Sequence, residues 1–175
     1  HDNKITETKT PEILIAGCGT GQHSTETAAR FRGSNVFAID LSLSSLAYAK
    51  RKTDELAIKN IEYMQADILD LRKLNKKFDM IESVGVLHHM NDPMAGWKVL
   101  TDCLRPGGLM RIGLYSELAR QHIVKIRQEI KQRGIGSGNA EMRSFRDTIT
   151  KLEKDHHKLI IQSTDFYSTS TLKDL

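Results

Sequence analysis

Apolar runs alternate with amphipathic stretches along the first two thirds of the chain. Five runs have the length and composition of buried strands: residues 12–16, 35–39, 61–65, 78–84 and 109–115. Helical spacing of apolar residues predicts helices at 22–31, 42–58 and 93–104, with one short helical turn at 68–74. Because strands and helices alternate with short connections, the pattern predicts an α/β fold with a doubly wound parallel sheet. Right-handed crossovers with one reversal give the strand order 3-2-1-4-5.

After residue 116 only helical periodicity continues. Apolar residues recur at helical spacing over residues 117–133, and again from residue 139 to about residue 156. The polar N-terminal residues carry no such pattern and predict a disordered or truncated lead-in. The sequence therefore divides into three segments: the lead-in at 1–11, a core at 12–116, and a C-terminal helical extension at 117–175 that is truncated at its end.

Composition and charge are those of an ordinary globular domain. The 175 residues are enough to bury one sizeable core. The net charge of +4 is too small to indicate a nucleic-acid partner. No apolar run approaches the roughly 20 residues of a membrane span. With only 2 cysteines the chain has no disulfide framework, so we expect a cytoplasmic protein without a membrane partner.

A glycine-rich turn, GCGTG at residues 17–21, joins the first predicted strand to the first predicted helix. Glycine lacks Cβ, so the main chain there can adopt positive φ and approach a ligand closely. Asp40 closes the second strand, where an acid accepts hydrogen bonds from both hydroxyls of a ribose. A tight turn without a ligand and a helix-capping Asp40 are the structural alternatives. Together the two features favour a nucleotide-like ligand at the carboxyl edge of the sheet.

Polar residues also follow the third and fourth predicted strands. Asp67 is placed to accept a hydrogen bond from an adenine amine, or else to cap the short helical turn after it. The fourth strand ends near Ser83, where free carbonyl groups can meet an ammonium group. Leu87, His88 and His89 come next and are predicted to cover the crevice.

Two pairs of adjacent histidines raise the question of a metal site. Side chains at i and i+1 are expected to diverge, and no cysteine, histidine or carboxylate stands at ligand spacing from His88 and His89. His156 and His157 fall on a predicted charged helix, where we expect them to be solvated. The sequence therefore predicts no metal site.

The ordered motifs of residues 13–115 resemble the class I S-adenosylmethionine-dependent methyltransferase family. The resemblance rests on five segments: ILIAGCGTGQHS at 13–24, VFAIDLS at 36–42, YMQADILDL at 63–71, FDMIESVGVLHHM at 78–90 and LRPGGLMRIGLY at 104–115. It implies a Rossmann-like fold, S-adenosyl-L-methionine as cofactor and methyl transfer to a small-molecule or protein acceptor. The segment DFYSTSTLKDL at 165–175 resembles a bacterial subgroup in which this domain is joined to tetratricopeptide repeats, which implies a flanking repeat domain.

The resemblance also implies roles for residues along the carboxyl edge. Four residues of the first strand and its turn would hold the methionine part of the cofactor: Ala16, Gly17, Gly19 and Gly21. Asp40 would hold the ribose. Three residues would contact the adenine: Leu41, Asp67 and Ile68. Ser83 would face the amino-acid end and His88 the methyl group.

No residue stands out as an obligatory catalytic group, because in-line transfer of an activated methyl group depends mainly on alignment. Where a general base is needed, His88 and His89 are the candidates, since histidine titrates near neutral pH. Tyr115 and Arg111, near the end of the fifth predicted strand, are candidates for contact with the acceptor. The alternatives are a packed aromatic ring for Tyr115 and an ion pair with an acidic neighbour for Arg111.

Two other functions stay open on the sequence alone. A module of the same fold can bind the cofactor, or serve as a scaffold, without transferring a methyl group. A dinucleotide-dependent oxidoreductase is disfavoured, because its turn requires glycine at the sixth position counted from Gly17, where Gln22 stands.

Overall fold

The computed structural model of the protein describes residues 10–116, 118–151, 155–162 and 164–167. Nearly all of the predicted lead-in and the last residues of the predicted extension lie outside this part of the chain. The chain divides into two compact units between Leu114 and Tyr115.

A five-stranded parallel sheet forms the centre of the first unit. Its strands are β1 (Glu12–Ala16), β2 (Asn35–Asp40), β3 (Ile61–Gln65), β4 (Phe78–Val84) and β5 (Leu104–Gly113). They lie in the order β3-β2-β1-β4-β5 and every neighbouring pair is parallel, so the predicted Rossmann-like topology is confirmed. The direction of winding reverses between β1 and β4, and such a switch point opens a crevice at the carboxyl edge.

Helices connect the strands of this unit. They are α1 (Gln22–Arg30), α2 (Leu43–Glu55) and α3 (Pro93–Cys103), with 3-10 helices at Ile68–Leu74 and Leu87–His89. The Ser42 hydroxyl accepts a hydrogen bond from the Ser45 amide (3.2 Å). The Asp92 carboxylate accepts hydrogen bonds from the amides of Met94 and Ala95 (3.0 Å each). These two caps fix the first residues of α2 and α3, close to the predicted helix starts at residues 42 and 93.

Both faces of the sheet are buried, which explains why its strands are continuous apolar runs. One face forms a core with α3: Leu14, Ala16, Phe37, Ile39, Ile81, Val99 and Leu100. The other face forms a core with α1 and α2: Ile13, Ile15, Val36, Ala38, Ala28 and Leu46. Successive residues of β1 therefore enter opposite cores. Burying each large aliphatic side chain contributes about 1.5–3 kcal/mol, so these strands hold the glycine-rich turn firmly in place.

The fifth strand begins earlier than the sequence predicts. The sequence predicts a strand only over residues 109–115, whereas β5 already begins at Leu104. Leu104 pairs with Phe78 of β4, and the register shifts just after that pair, which accommodates the Pro-Gly-Gly segment. Pairing with β4 therefore holds in the sheet a segment that local turn signals place outside it.

The described part of the second unit is helical. Its elements are α4 (Gln121–Arg133), α5 (Asn139–Lys151), α6 (Asp155–Ile161) and a 3-10 helix at Thr164–Tyr167. Their apolar faces share a core of buried side chains: Ile123, Ile126, Met142, Phe145, Ile149, Ile160 and Phe166. Among all the helices described in either unit, none has the length and apolar composition needed to cross a bilayer.

Two helix boundaries of the second unit differ from the sequence prediction. The helix expected at 117–133 begins at Gln121, because the Ser116 carbonyl and hydroxyl accept amide hydrogen bonds in a preceding turn. The same helix ends at Arg133, as predicted, and is capped by Gly134 with a φ of +59°. The next predicted helix corresponds to α5, and residues 152–154 beyond its end lie outside the described part of the chain.

Candidate functional site

A cleft of about 660 Å³ opens at the carboxyl edge of the sheet in the first unit. Seven predicted site residues line it: Gly17, Gly19, Asp40, Leu41, Asp67, Ile68 and His89. Nine lining residues were not predicted as site residues: Ile39, Ala66, Leu69, Gly85, Val86, Met90, Asn91, Asp92 and Ala95. The switch point of the sheet therefore carries a cleft whose volume fits a small organic cofactor.

The glycine-rich turn forms part of the cleft wall. Gly17 has a φ of +79°, and a Cβ there would lie 2.4 Å from a methyl carbon of Val86. The Gly17 amide donates to the Ile39 carbonyl (2.9 Å), which fixes the turn against β2. Gly19 also has a positive φ (+53°), but a Cβ there would meet no heavy atom within 4 Å. The backbone at Gly19 therefore faces open space, where it can approach a ligand.

The Asp40 carboxylate ties this turn to β2. Its Oδ2 accepts a hydrogen bond from the Gly19 amide (2.7 Å), and its Oδ1 accepts one from the Ser42 amide (2.8 Å). A carboxylate has about four acceptor sites, so both oxygens retain capacity for a hydroxyl group in the cleft. The glycine-rich turn and Asp40 are therefore in direct contact, which sequence reasoning did not predict.

Large apolar side chains stand exposed around another part of the cleft. Leu41 is 67% exposed and Leu69 is 48% exposed. Asp67 lies beside them and caps the 3-10 helix, since its Oδ1 accepts a hydrogen bond from the Leu69 amide (2.8 Å). A carboxylate retains acceptor capacity beyond one such bond. A flat apolar group with an amine at its rim would therefore match this region.

Four residues predicted to hold the cofactor do not line the cleft. Ala16 and Ser83 are fully buried within β1 and β4. Gly21 has a φ of +87°, and a Cβ there would lie 2.5 Å from the Ala49 Cβ, so this glycine allows α1 and α2 to pack closely. His88 is half-buried next to the cleft-lining histidine. The roles of these four residues toward a cofactor stay predictions.

The rings of His88 and His89 lie close together. Their Nε2 atoms are 3.1 Å apart, and their ring centroids are 4.2 Å apart. The expectation that adjacent histidine side chains diverge is therefore wrong here. Side-chain torsions turn the two rings toward each other, and sequence spacing does not specify those torsions.

A buried carboxylate that sequence reasoning missed lies in β4. Glu82 forms a hydrogen bond with the His23 imidazole of α1, and Thr27 Oγ1 donates to the same carboxylate oxygen at 3.3 Å. Arg111 Nη1 lies 3.9 Å from the other oxygen, so the arginine pairs with an acidic neighbour. The sequence signal that could have revealed this site is a glutamate inside an apolar strand. A buried charge needs partners, so such a glutamate predicts nearby polar side chains.

A comparison with protein families supports a ligand-binding cleft at the carboxyl edge of the sheet. A family model described as a methyltransferase domain matches residues 13–108, more than half of the chain. The chain belongs to the methyltransferase domain family. Every residue that lines the cleft falls inside the matched range.

Curated proteins share this methyltransferase domain. An uncharacterised protein of Synechococcus is 36% identical over 121 residues, which cover 69% of this chain and 29% of that protein. The ubiquinone biosynthesis O-methyltransferase of Rickettsia canadensis is 32% identical over 126 residues, which cover 72% of this chain and 50% of that enzyme. The chain thus spans half or less of the length of these two relatives.

A solved structure has the same methyltransferase fold. PKMT2 from Rickettsia typhi, in complex with AdoHcy, superposes with a TM-score of 0.73 at 23% identity. The match covers 91% of this chain and 33% of that chain. At this identity the similarity establishes the fold.

Tyr115 lies outside the range that the methyltransferase family model matches, in the second unit. Its side chain is half exposed, and the guanidinium carbon of Arg120 lies 3.6 Å from the centre of its ring. This cation–π contact gives the tyrosine a local packing role. Its contact with a methyl acceptor stays a prediction.

Proposed function

We propose that this methyltransferase domain binds S-adenosylmethionine in the cleft of the first unit and transfers its methyl group to an acceptor. One observation carries the proposal: the Gly19 amide donates to Asp40 at the cleft, so open glycine backbone and an acceptor carboxylate lie side by side. A nucleoside with an amino-acid arm uses both features. The family match and the AdoHcy complex of PKMT2 support this choice of cofactor.

The adenosine half of the cofactor fits the Asp40 side of the cleft. Both Asp40 oxygens retain acceptor capacity for the two ribose hydroxyls. Leu41 and Ile68 offer apolar surface to the purine ring. Covering such surface contributes about 25 cal/mol per Å². In this arrangement Asp67 accepts a hydrogen bond from the adenine amine.

The methionine half fits along the glycine-rich turn, with Gly19 as the point of closest approach. Ser83, at the end of β4, faces the ammonium end in this arrangement. S-adenosylmethionine has no phosphate, whereas a dinucleotide places its pyrophosphate at a helix N-terminus. A dinucleotide turn also requires glycine at the sixth position counted from Gly17, where Gln22 stands. This residue supports S-adenosylmethionine over a dinucleotide.

The cofactor supplies a methyl group that its sulfonium already activates toward nucleophiles. The residues of the chain then act chiefly by aligning donor and acceptor. His89 lines the cleft and His88 adjoins it, so either imidazole can take a proton from an acceptor that arrives protonated. The acceptor is a small molecule or a protein side chain, and Tyr115 is the proposed acceptor contact of the second unit.

Isothermal titration of the full chain with S-adenosylhomocysteine tests the proposal. Asp40→Ala should weaken binding about 10–100-fold, because a hydrogen bond to a charged group contributes about 1.5–3 kcal/mol. Asp70→Ala is the matched control. Asp70 is an exposed carboxylate that pairs with Lys73 and does not line the cleft, so its removal should leave the affinity unchanged.

Three outcomes distinguish the alternatives. No heat at millimolar ligand, or equal affinity of wild type and Asp40→Ala, would contradict the proposal. Heat on titration with a nicotinamide dinucleotide instead would favour an oxidoreductase. Binding without release of S-adenosylhomocysteine across a broad panel of small-molecule and peptide acceptors would favour a module that binds the cofactor without transferring its methyl group.

A further inference from the structure

The second unit brings together three residues of types that bind metal ions, outside the range of the methyltransferase family model. Glu129 lies in α4, and His156 and His157 are consecutive residues of α6. Their donor atoms all lie within 4.8 Å of one another, which no other group of three histidine, cysteine or acidic residues achieves in the described parts of the chain. We refer to these three residues as the histidine–glutamate cluster.

Both imidazoles of the cluster direct Nε2 at one carboxylate. His156 Nε2 lies 2.9 Å from Glu129 Oε1, and His157 Nε2 lies 2.9 Å from Glu129 Oε2. The two rings meet edge to face with centroids 4.3 Å apart. An ionised carboxylate only accepts hydrogen bonds, so each Nε2 carries the hydrogen in this arrangement. Two nitrogens and a carboxylate thus converge on one small volume.

The cluster is largely closed to solvent. The His157 side chain is completely buried, and those of His156 and Glu129 are 19% and 15% exposed. The expectation that this histidine pair is solvated is therefore wrong. The reason is that α6 packs against α4 and joins the second-unit core through Ile160, which turns both rings inward.

We propose that the histidine–glutamate cluster binds a divalent transition-metal ion, with Zn²⁺ as the best match. Two imidazole nitrogens and a carboxylate oxygen are ligands that Zn²⁺ accepts at about 2.0–2.2 Å. Ligand atoms around a tetrahedral ion at that distance stand roughly 3.3 Å apart. The nitrogen–oxygen distances of 2.9 Å, each to a different oxygen of Glu129, are close to this value. All donor atoms lie within 4.8 Å of one another, so side-chain movements within the cluster can bring the three ligands around one ion.

Coordination through Nε2 requires the histidine hydrogen to sit on Nδ1. His157 Nδ1 has no hydrogen-bond partner within the described residues, so no contact there locks the ring with its hydrogen on Nε2. Both rings stay neutral in the coordinated form, and Glu129 stays ionised, as metal ligation requires.

The bound ion stabilises the second unit. It links α4 to α6, two helices separated in sequence by α5, through ligands 27 positions apart in the chain. An ion that binds the folded unit and not the unfolded chain stabilises the fold by mass action. Three protein ligands leave a fourth position for water or a further donor.

Competition with a chromogenic zinc chelator tests the site in the full chain. Wild type should bind one equivalent of Zn²⁺. Glu129→Gln and His157→Gln should each weaken binding by more than about 10–100-fold, the loss typical of removing groups that merely support a metal ligand. His122→Asn is the matched control, because His122 also lies in α4 but outside the cluster, and it should bind zinc as wild type does.

Thermal unfolding and cobalt spectroscopy keep the proposal testable where a variant does not fold. Zn²⁺ should raise the Tm of wild type and of His122→Asn, whereas Mg²⁺ should not. Co²⁺ bound to wild type should show visible d–d bands without a thiolate charge-transfer band. A thiolate band or the absence of zinc binding would overturn the proposal. Zinc binding that survives Glu129→Gln but is lost in the double variant His88→Asn/His89→Asn would also overturn it.

Discussion

The three glycines of the glycine-rich turn differ in the space around their missing Cβ atoms. The three glycines look alike in sequence, yet the Cβ direction is blocked by Val86 at Gly17 and by Ala49 at Gly21, and is open at Gly19. Positive φ explains why glycine is required in the turn. Residues from distant segments fill the Cβ direction at Gly17 and at Gly21. Gly19 is therefore the glycine of the turn with free space for a ligand.

Gly17→Ala should lower the free energy of unfolding by about 1–3 kcal/mol, the usual cost of overpacking. The added Cβ meets a methyl carbon of Val86 at 2.4 Å, and the φ of +79° strains any residue with a side chain. Urea unfolding measures the change. Gly33→Ala is the control, because a Cβ there meets nothing within 4 Å, and it should stay within about 0.5 kcal/mol of wild type. Equal stability of the two variants would refute this account of the turn.

Ionisation of the Cys18 thiol should lower the free energy of unfolding in alkaline solution. Burial, reinforced by the charge of Asp40, raises the pKa of the Cys18 thiol from its usual 9.0 to about 12. As pH rises above 9.0 the unfolded chain loses this proton while the folded protein keeps it, so the unfolded state is favoured progressively up to about pH 12. The free energy of unfolding, followed across that window, should decline less steeply for Cys18→Ala than for wild type. Parallel slopes would contradict the prediction.

Element boundaries follow two kinds of cause. Helix starts depend on adjacent residues: Ser42 and Asp92 cap α2 and α3 where local sequence places them. Strand ends depend on partners: β5 begins at Leu104 because β4 pairs with it, and Arg105 Nη1 lies 2.6 Å from Asp79 Oδ2. The first kind of boundary is readable from sequence, and the second requires knowledge of the neighbouring strand.

Glu82→Gln should loosen the attachment of α1 to the sheet. The buried carboxylate accepts from His23 and Thr27 and faces Arg111, and an amide cannot satisfy all three. We expect a loss of about 1–3 kcal/mol in the free energy of unfolding, the cost of leaving a buried partner unsatisfied. Chemical denaturation of Glu82→Gln beside Glu62→Gln, an exposed glutamate of β3, gives the comparison. A loss of the same size in both variants would rule out a specific role for the buried carboxylate.

At the scale of the whole molecule, the family match and the cleft both belong to the first unit. The match ends at residue 108, before the division between Leu114 and Tyr115. The second unit has its own apolar core and its own histidine–glutamate cluster. Cofactor binding and metal binding are therefore assigned to separate units and can be tested by separate ligands.

S-adenosylhomocysteine should stabilise the full chain by mass action. At a ligand concentration about 100 times Kd, the free energy of unfolding should rise by about 2.7 kcal/mol. Differential scanning calorimetry with increasing ligand measures the shift, and Asp40→Ala should require a correspondingly higher concentration. A Tm that does not move with ligand in wild type would contradict binding to the folded state.

Much of the first unit was predictable because its signals are local or periodic. The strand runs, their order, and the positions of the glycine-rich turn and of Asp40 all follow from spacing along the chain. The contact between Asp40 and Gly19 was not predicted, although both residues were. Gly21 was predicted as a site residue, and the structure adds that its missing Cβ allows α1 and α2 to pack closely. Its role toward a cofactor stays a prediction.

The sequence by itself determined the fold of the first unit and the edge at which its cleft opens, because apolar period, caps and turn glycines act between near neighbours. Tertiary structure alone decided the partners of Glu82 and the meeting of Glu129 with His156 and His157. Such contacts join distant segments and depend on side-chain torsions. The spacing of residue types along the chain encodes neither the meeting of those segments nor the torsions.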